Sequence, residues 1–290
     1  MLKKLAFDRP VVELVRQRHS CRSFDARAPE PEALDALEKF LLRLELPFGS
    51  RPRFGVIDSQ KVRAENLFST GSYGMIKGAR FYLALLVRKG ETRRWEDAGF
   101  ALEAAVLLAT SLGLGSCWIG GVFDRKRFGR SLGIRGEEQL PAVVAIGRPA
   151  SRTSFRDRLV RWSARGRMRK AAGELFFDNE WDSPLAWETP APWAQALECV
   201  RLGPSASNRQ PWRILRRGSA YHFFLDRDRA YSALVTAADL QRIDMGIAMC
   251  HFQLGAVELG LEGEWRDAAP LLDGTPTNYE YIVTFASQEN

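Results

Sequence analysis

Residues 18–24 (RHSCRSF) combine basic and hydroxyl side chains in an alternating pattern near the start of the chain. Alternate residues of an extended chain point to the same side, so Arg18, Ser20 and Arg22 are expected to share one face. Two guanidinium groups and a hydroxyl on one face can surround an anion such as a phosphate. The pattern therefore predicts an anion-binding segment, with a solvent-exposed basic strand as the alternative.

Residues 203–212 (GPSASNRQPW) form a second candidate segment. The Gly, Pro, Ser and Asn residues in it favour a loop between a helix and a strand. Ser205, Ser207, Asn208 and Gln210 supply hydrogen-bonding groups, which are costly to bury without partners. We therefore interpret the segment as a ligand-binding loop. The alternative is a tight turn that is closed by a buried Trp212.

Residues 113–121 (GLGSCWIGG) form a third candidate, which follows a long apolar stretch and contains four glycines. Gly120 and Gly121 can present backbone N–H groups to a ligand because they carry no Cβ. The segment predicts a glycine turn at a binding site. A simple helix cap followed by a bend is the alternative.

The elements around these segments repeat at an offset of 147 residues. An Asp-x-Gly-x-Ala sequence begins at Asp97 and again at Asp244, and each leads into a long apolar stretch that ends in Leu-Gly-Leu. Small and apolar residues recur there at three and four positions, which indicates a closely packed helix. The repeat predicts two fused, diverged lobes related by a pseudo-twofold axis.

Further elements alternate along both repeats. Helices are predicted at 11–17, 33–44 and 193–201, and strands at 81–87, 142–146, 221–225 and 281–285. This alternation of helices and β-rich runs indicates an α/β or α+β protein.

Together the three candidate segments resemble the nitroreductase family of FMN enzymes. The family motif Arg-x-Ser-x-Arg/Lys-x-Phe matches residues 18–24, and Pro-Ser-x-x-Asn-x-Gln-Pro-Trp matches residues 204–212 at every fixed position. The family sequence Gly-Leu-Gly-Ser-Cys-Trp-Ile-Gly is identical to residues 113–120. With the repeated elements, the resemblance covers most of the chain. It implies an α+β, nitroreductase-like fold with central antiparallel or mixed sheets flanked by helices.

The resemblance also implies an activity, that of an FMN-dependent NAD(P)H oxidoreductase. Such an enzyme reduces nitroaromatics, quinones or similar electron-poor acceptors by ping-pong hydride transfer. The flavin N5 carries out the chemistry, so no catalytic side chain and no metal are expected. Two alternatives stay open: a flavin enzyme with another acceptor, such as a dehydrogenase or dehalogenase, and a non-catalytic FMN-binding protein.

The binding residues that the resemblance implies come from four short segments. A backbone N–H at Gly120 or Gly121 would contact the flavin N5, and Arg22 would lie near the pyrimidine end. Arg167 or Arg169 would join Arg18 on the phosphate, while His19 has a positional role. The expected cofactor-binding set is Arg18, His19, Ser20, Arg22, Trp118, Ile119, Gly120, Gly121, Arg167, Arg169, Pro204, Ser205, Ala206, Ser207, Asn208 and Gln210.

The family motifs are divided between the two repeats. Where the family has its Asn-containing loop, the first repeat has residues 47–53 (PFGSRPR), which lack Asn, Gln and Trp. The second repeat lacks the Arg-x-Ser-x-Arg motif, and its helix runs into residues 262–265 (EGEW). Members of the family resembled here hold each flavin between two subunits. The resemblance therefore implies a monomeric pseudo-dimer with one intact flavin site, formed by lobes at 1–177 and 178–290.

The net charge of +7 arises within residues 151–170, which hold eight basic side chains and one acid. The other 270 residues balance, with 34 basic and 34 acidic side chains, so a chain-wide nucleic-acid surface is disfavoured. A local tether for nucleic acid or an acidic membrane is a further alternative, although base-stacking motifs are absent. Arg167 and Arg169 are expected to contact the phosphate, and four other arginines of this stretch are expected to form the solvent-exposed face of a helix. Its residues would be Arg152, Arg156, Arg158 and Arg161.

Targeting and metal signals are weak in this sequence. No run approaches the roughly 18 apolar residues of a membrane span, and the start does not read as a signal peptide. Cys21, Cys117, Cys199 and Cys250 lie far apart without metal-ligand spacing. The expectation is a cytoplasmic protein with buried structural thiols, no metal and a small-molecule acceptor as its only partner.

Overall fold

A computed structural model describes residues 7–25, 27–64, 76–121, 123–150, 168–186 and 193–288. The helices are α1 (Val11–Gln17), α2 (Pro31–Arg43), α3 (Ser59–Ala64), α4 (Arg94–Ser111), α5 (Arg125–Ser131), α6 (Ala172–Leu175), α7 (Ala194–Leu202), α8 (Arg229–Leu234) and α9 (Leu240–Glu258). The strands are β1 (Arg53–Asp58), β2 (Phe81–Arg88), β3 (Gly115–Ile119), β4 (Glu138–Gln139), β5 (Val143–Gly147), β6 (Phe176–Asp178), β7 (Trp212–Arg217), β8 (Ala220–Asp226), β9 (Gly263–Arg266) and β10 (Tyr279–Ser287). The predicted α+β class is confirmed.

The strands form two five-stranded sheets with matching cores. The first has the order β1-β2-β5-β3, with β4 beside β2, and the second has the order β6-β7-β8-β10-β9. The four strands of the first path pair antiparallel, as do the last four of the second. β6 pairs parallel with β7, so the expected lobe boundary at 177/178 falls within a strand of the second sheet.

Strand β2 shows why the first sheet is buried on both faces. Its sequence FYLALLVR is apolar up to the final arginine, and its first seven residues are buried. Alternate side chains enter two different clusters, Leu83 and Leu85 in one and Ala84 and Leu86 in the other. A continuous apolar run is what a sheet covered on both faces requires.

Six of the described strands were not expected from the sequence, namely β1, β3, β4, β6, β7 and β9. The charged residues in β1 and β7 interrupt the apolar pattern by which a strand is predicted. In the structure, β7 is stabilised by pairing with a strand on either side. β3 occupies most of the segment that was expected to be a glycine turn. Its five residues pair with β5, so only Gly120 and Gly121 leave the strand as a turn.

The two central helices, α4 and α9, cross at a pair of glycines. A Cβ on Gly99 would meet the carbonyl oxygen of Ile243, and a Cβ on Gly246 would meet that of Glu96, both well under 3.0 Å. The contacts are reciprocal, and the paired positions are offset by 147 residues. Such close backbone approach requires glycine on both helices. Each sheet has its own hydrophobic cluster, and both clusters contain residues of α4 and α9, so the crossed helices lie between the two sheets.

The remaining sequence expectations concern cysteines, membranes and the basic stretch. All four cysteines are buried thiols. In the described part of the chain, no helix has the length and apolar character needed to cross a bilayer. Residues 151–167, which carry most of the excess positive charge and include Arg167, lie outside the described residues.

Candidate functional site

The segment at 18–24 is extended and lies along β3. Ser20 forms a parallel bridge with Ser116, and the Cys21 N–H donates to the Ser116 carbonyl oxygen at 2.8 Å. This pairing brings the Arg-x-Ser motif next to the strand that leads into the glycine turn. Ser20 and Arg22 are half-buried, whereas His19 is exposed, with its Nδ1 3.1 Å from the Gln17 carbonyl oxygen.

Arg18 is a buried cation whose charge is offset by few polar contacts. Its side chain is 6% exposed, and its Nε lies 4.0 Å from the Glu103 Oε1. Among the described residues, no atom forms a hydrogen bond with that Nε. Burial lowers the pKa of Arg18, against the opposing effect of the Glu103 carboxylate. Such a desolvated guanidinium favours an anion beside it.

Arg169 supplies a second cation to the same place. Burial, followed by the positive charge of Arg18, lowers the pKa of Arg169 to about 10. A buried and a half-buried guanidinium group that repel each other are stabilised by a shared anion such as a phosphate. The residues present therefore fit the phosphate end of FMN. The other arginine expected there, Arg167, lies outside the described residues.

The loop at 203–211 has an unusual backbone. Ser207, Asn208 and Gln210 have φ angles of 51°, 54° and 50°, in the left-handed region that non-glycine residues seldom adopt. The Ser205 Oγ accepts a hydrogen bond from the Gln210 N–H at 2.8 Å, which closes the loop. Backbone strain of this kind clusters at binding sites, where the surrounding contacts enforce it.

A buried aspartate fixes the base of that loop. The Ala206 N–H donates to Asp244 Oδ1 at 2.9 Å, and burial raises the pKa of Asp244 well above its usual range. In the first lobe, Asp97 accepts hydrogen bonds from the Phe48 and Ser50 N–H groups at 3.1 and 3.0 Å. Both lobes therefore hold this loop by the equivalent aspartate. Only the second-lobe loop, however, carries the Asn and Gln of the motif.

The glycine turn meets the second lobe directly. A Cβ on Gly120 would lie 2.8 Å from Leu240 Cδ2, and one on Gly121 would lie 3.7 Å from Val235 Cγ2. Gly120 therefore cannot gain a side chain unless Leu240 moves. On the preceding strand, Ile119 is buried.

A cavity of about 300 Å³ opens beside this turn. Its wall also touches the loop, because the Tyr231 hydroxyl lies 3.3 Å from the Ser207 Oγ. Its polar side chains are held by neighbouring protein groups: Arg227 binds Asp239 at 2.7 Å, and Gln241 donates to the Ser232 Oγ at 2.6 Å. The lining residues are Arg227, Tyr231, Ser232, Val235, Thr236, Ala238, Asp239, Leu240 and Gln241.

Sequence reasoning missed a buried polar group at the centre of the interface. Glu103 accepts a hydrogen bond from Trp118 Nε1 at 2.7 Å, and its Oε1 lies 2.8 Å from His251 Nε2. The His251 Nδ1 is 2.8 Å from the Cys199 carbonyl oxygen. The available signal was a polar residue, Glu103 or His251, within the apolar stretch of each central helix. The network joins the two lobes directly behind Arg18.

The structure thus places the predicted site residues in two connected groups. Arg18, Ser20, Arg169, Asn208 and Gln210 belong to the basic end. The second group, at the cavity, contains Gly120, Gly121, Ala206 and Ser207, with Trp118 and Ile119 on the strand before the turn. Pro204 and Ser205 are half-buried in the loop that links the two groups. Among the described residues, no three His, Cys, Asp or Glu side chains form a group that could hold a metal ion.

Comparison with known proteins finds a family model and a solved structure that each match most of the chain. Residues 10–256 match the family described as "Putative TM nitroreductase". A structure from Thermotoga maritima, described as a "putative nitroreductase", has a TM-score of 0.62 at 19% identity and covers 98% of this chain and 97% of its own. This similarity confirms the nitroreductase-like fold expected from the sequence.

Shorter structures match about half of the chain. An "FMN-dependent Nitroreductase" from Clostridium difficile has a TM-score of 0.41 at 24% identity, covering 49% of this chain and 88% of its own. An iodotyrosine deiodinase bound to FMN and 3-iodo-L-tyrosine has a TM-score of 0.41 at 16% identity, covering 50% and 92%. No curated protein matches the chain.

Proposed function

The chain belongs to the nitroreductase family, and we propose that it is an FMN-dependent NAD(P)H oxidoreductase with one flavin site at the junction of its two lobes. When bound, FMN supplies hydride chemistry at its N5, taking a hydride from NAD(P)H and passing it to an electron-poor acceptor. The protein binds the flavin, orients it and shapes the space in which the acceptor lies.

The pair formed by the buried Arg18 and the half-buried Arg169 is the observation that supports this proposal most. The two side chains come from distant parts of the chain, both are desolvated, and Arg18 lowers the pKa of Arg169. A dianionic phosphate is the group that best offsets two such charges. In the proposed site these residues hold the FMN phosphate, and Ser20 offers its hydroxyl from the same extended segment.

The other sequence-derived residues line the ring portion of the proposed site. The N–H groups of Gly120 and Gly121 are proposed to face the flavin N5, and Trp118 and Ile119 hold that turn at the end of β3. Arg22 is proposed to serve the pyrimidine end. The loop at 204–207 forms the wall contributed by the second lobe, and the exposed His19 has only a positional role.

The cavity beside Gly120 is proposed to receive the acceptor. Tyr231, Val235 and Leu240 offer it an aromatic and apolar wall. The cation there, Arg227, is already bound to Asp239 and Glu280 at 2.7 and 2.6 Å. A flat, uncharged molecule such as a nitroaromatic or a quinone fits such a wall better than an anionic one, because the cation among the described lining residues is already paired.

The first test is flavin content and reduction. We expect the purified protein to be yellow with one FMN per chain, and anaerobic NADH or NADPH to bleach it. A nitroaromatic or a quinone should then restore the colour. Two FMN per chain, or none after saturation with FMN, would contradict the single-site proposal. Bound FMN that neither nicotinamide bleaches would favour the non-catalytic alternative.

The second test removes the cation at the phosphate end. We expect Arg18→Leu to weaken FMN binding roughly 10- to 100-fold, because a hydrogen bond to a charged group contributes about 1.5–3 kcal/mol. Quenching of flavin fluorescence by the apoprotein measures the dissociation constant. Arg217→Leu is the matched control, since Arg217 is exposed and, within the described part of the chain, donates a hydrogen bond to the Leu271 carbonyl oxygen in a loop of the second lobe. Equal affinities of the Arg18 variant and the wild type would exclude Arg18 from the site.

Three further expectations stay predictions. They are an origin by internal duplication, with which the reciprocal helix crossing agrees, the lobe division at 177/178, which falls within β6 of the second sheet, and a monomeric state. Light scattering that reports the mass of one chain would support the monomer. The cytoplasmic location expected from the sequence also stays a prediction.

A further inference from the structure

We infer that Asn208 and Gln210 are positioning residues that hold the segment 168–170 between the lobes and thereby set Arg169 opposite Arg18. On this view the two motif amides act on the flavin through Arg169 and select for its phosphate. The inference rests on the proposed FMN site, and it assigns these side chains a different role from direct contact with the flavin ring.

Asn208 contacts the segment on two sides. Its Oδ1 accepts a hydrogen bond from Arg169 Nη1 at 3.0 Å, and its Nδ2 donates to the Met168 carbonyl oxygen at 2.9 Å. A single side chain therefore grips both the guanidinium and the backbone that carries it. The other end of the same guanidinium is held by the Leu202 carbonyl oxygen, which accepts from Nη2 at 3.1 Å.

Gln210 holds the neighbouring backbone. Its Oε1 accepts a hydrogen bond from the Lys170 N–H at 2.9 Å, and its Nε2 donates to the Met168 carbonyl oxygen at 3.4 Å. Gln210 is also 3% exposed, so these bonds form in a place that water scarcely reaches. Asn208 and Gln210 thus bind the residues on either side of Arg169.

The backbone of the loop is bent in a way that allows this grip. Asn208 and Gln210 both have left-handed φ angles, and such a conformation is costly for glutamine in particular. The Asp244 contact with the Ala206 N–H and the closure by Ser205 keep this shape. Two of the three loop residues with left-handed φ angles, Asn208 and Gln210, are those whose amides reach the segment at 168–170.

The hydrogen bonds from Asn208 and Gln210 are needed because the surroundings of Arg169 disfavour its charged form. Its charge is desolvated and is repelled by Arg18. An arginine without such contacts would turn towards water, as long basic side chains generally do. The amides keep the guanidinium inside, so that the site is preorganised for a phosphate before the ligand arrives.

Comparing FMN with riboflavin tests this inference, because riboflavin lacks only the phosphate. We expect Asn208→Ala to raise the FMN dissociation constant of the apoprotein about tenfold, as for one hydrogen bond to a charged group. The riboflavin dissociation constant should stay within about twofold of the wild-type value. Gln210→Ala and Arg169→Leu should show the same selective loss. Asn278→Ala, whose amide bonds Asp226 elsewhere in this lobe, should change neither constant.

A double variant separates the two roles further. If Asn208 acts through Arg169, Asn208→Ala adds no further loss of FMN affinity in an Arg169→Leu background. Equal weakening of FMN and riboflavin by Asn208→Ala would overturn the inference in favour of a ring contact, and an unchanged FMN constant would overturn it as well. A wild-type protein that binds neither flavin would instead refute the proposed function. Should Asn208→Ala not fold, Gln210→Ala and Arg169→Leu decide by the same comparison.

Discussion

Gly246→Ala is expected to destabilise the protein by at least about 3 kcal/mol, the upper end for overpacking a core. The added Cβ would collide with the Glu96 carbonyl oxygen and also come within 3.0 Å of the Phe100 nitrogen. Both atoms belong to the backbone of α4, so no side-chain rotation relieves the contact. The higher helix propensity of alanine offsets only about 1 kcal/mol of this cost.

Thermal unfolding measures this effect. A loss of about 3 kcal/mol corresponds to a Tm lowered by roughly 6–12 °C in a domain of this order of size. Gly136→Ala is the control, because a Cβ there meets nothing within 4 Å and its φ is not positive. Gly99→Ala, the reciprocal position, should resemble Gly246→Ala. A Tm like that of the wild type for both variants would mean that the central helices are not in backbone contact.

His251→Leu is expected to lower the free energy of unfolding by about 3 kcal/mol. Glu103 is fully buried, and its Oε1 loses the hydrogen bond from His251 while the carboxylate stays inside. Removal of one partner from a buried polar pair is costly, since the other is left without compensation. Trp118 and Arg18 stay near the carboxylate and keep the loss from being larger.

Urea unfolding of the flavin-free protein tests this second effect. Adding Glu103→Gln to the His251→Leu variant should restore part of the lost free energy of unfolding, because an unpaired amide costs less to bury than an unpaired carboxylate. His19→Leu is the control, as His19 is exposed and should change stability by less than about 0.5 kcal/mol. If the two substitutions at 103 and 251 add independently, the proposed coupling between these side chains is refuted.

Local patterns explain why so much of the fold was predictable. The helices at 11–17 and around Asp97 and Asp244 follow from apolar spacing, and the three binding segments follow from residue types within about ten positions of one another. Strands β1 and β7 escaped prediction because their stability comes from pairing with neighbours, which composition does not record. The strand β3 escaped for a related reason, since its glycines resemble a turn until β5 is beside them.

The contacts between distant residues could not be predicted in the same way. Glu103 and His251 lie 148 positions apart, and each by itself resembles an isolated polar residue in an apolar helix. The hydrogen bond between Asn208 and Arg169, which lie 39 positions apart, is likewise invisible to motif spacing. Such partners depend on how the lobes pack, which neither periodicity nor motif spacing encodes.

The crossing of α4 and α9 also has a consequence during synthesis of the chain. Gly99 emerges from the ribosome 147 residues before Gly246, the position with which it pairs. At a synthesis rate of about 5–20 residues per second, the apolar face of α4 stays uncovered for roughly 7–30 s until the crossing position on α9 has been made. During that interval the nascent first half exposes an apolar surface to other proteins. A chain that stops before α9 would leave this face of α4 exposed, and we therefore expect such a chain to be prone to aggregation.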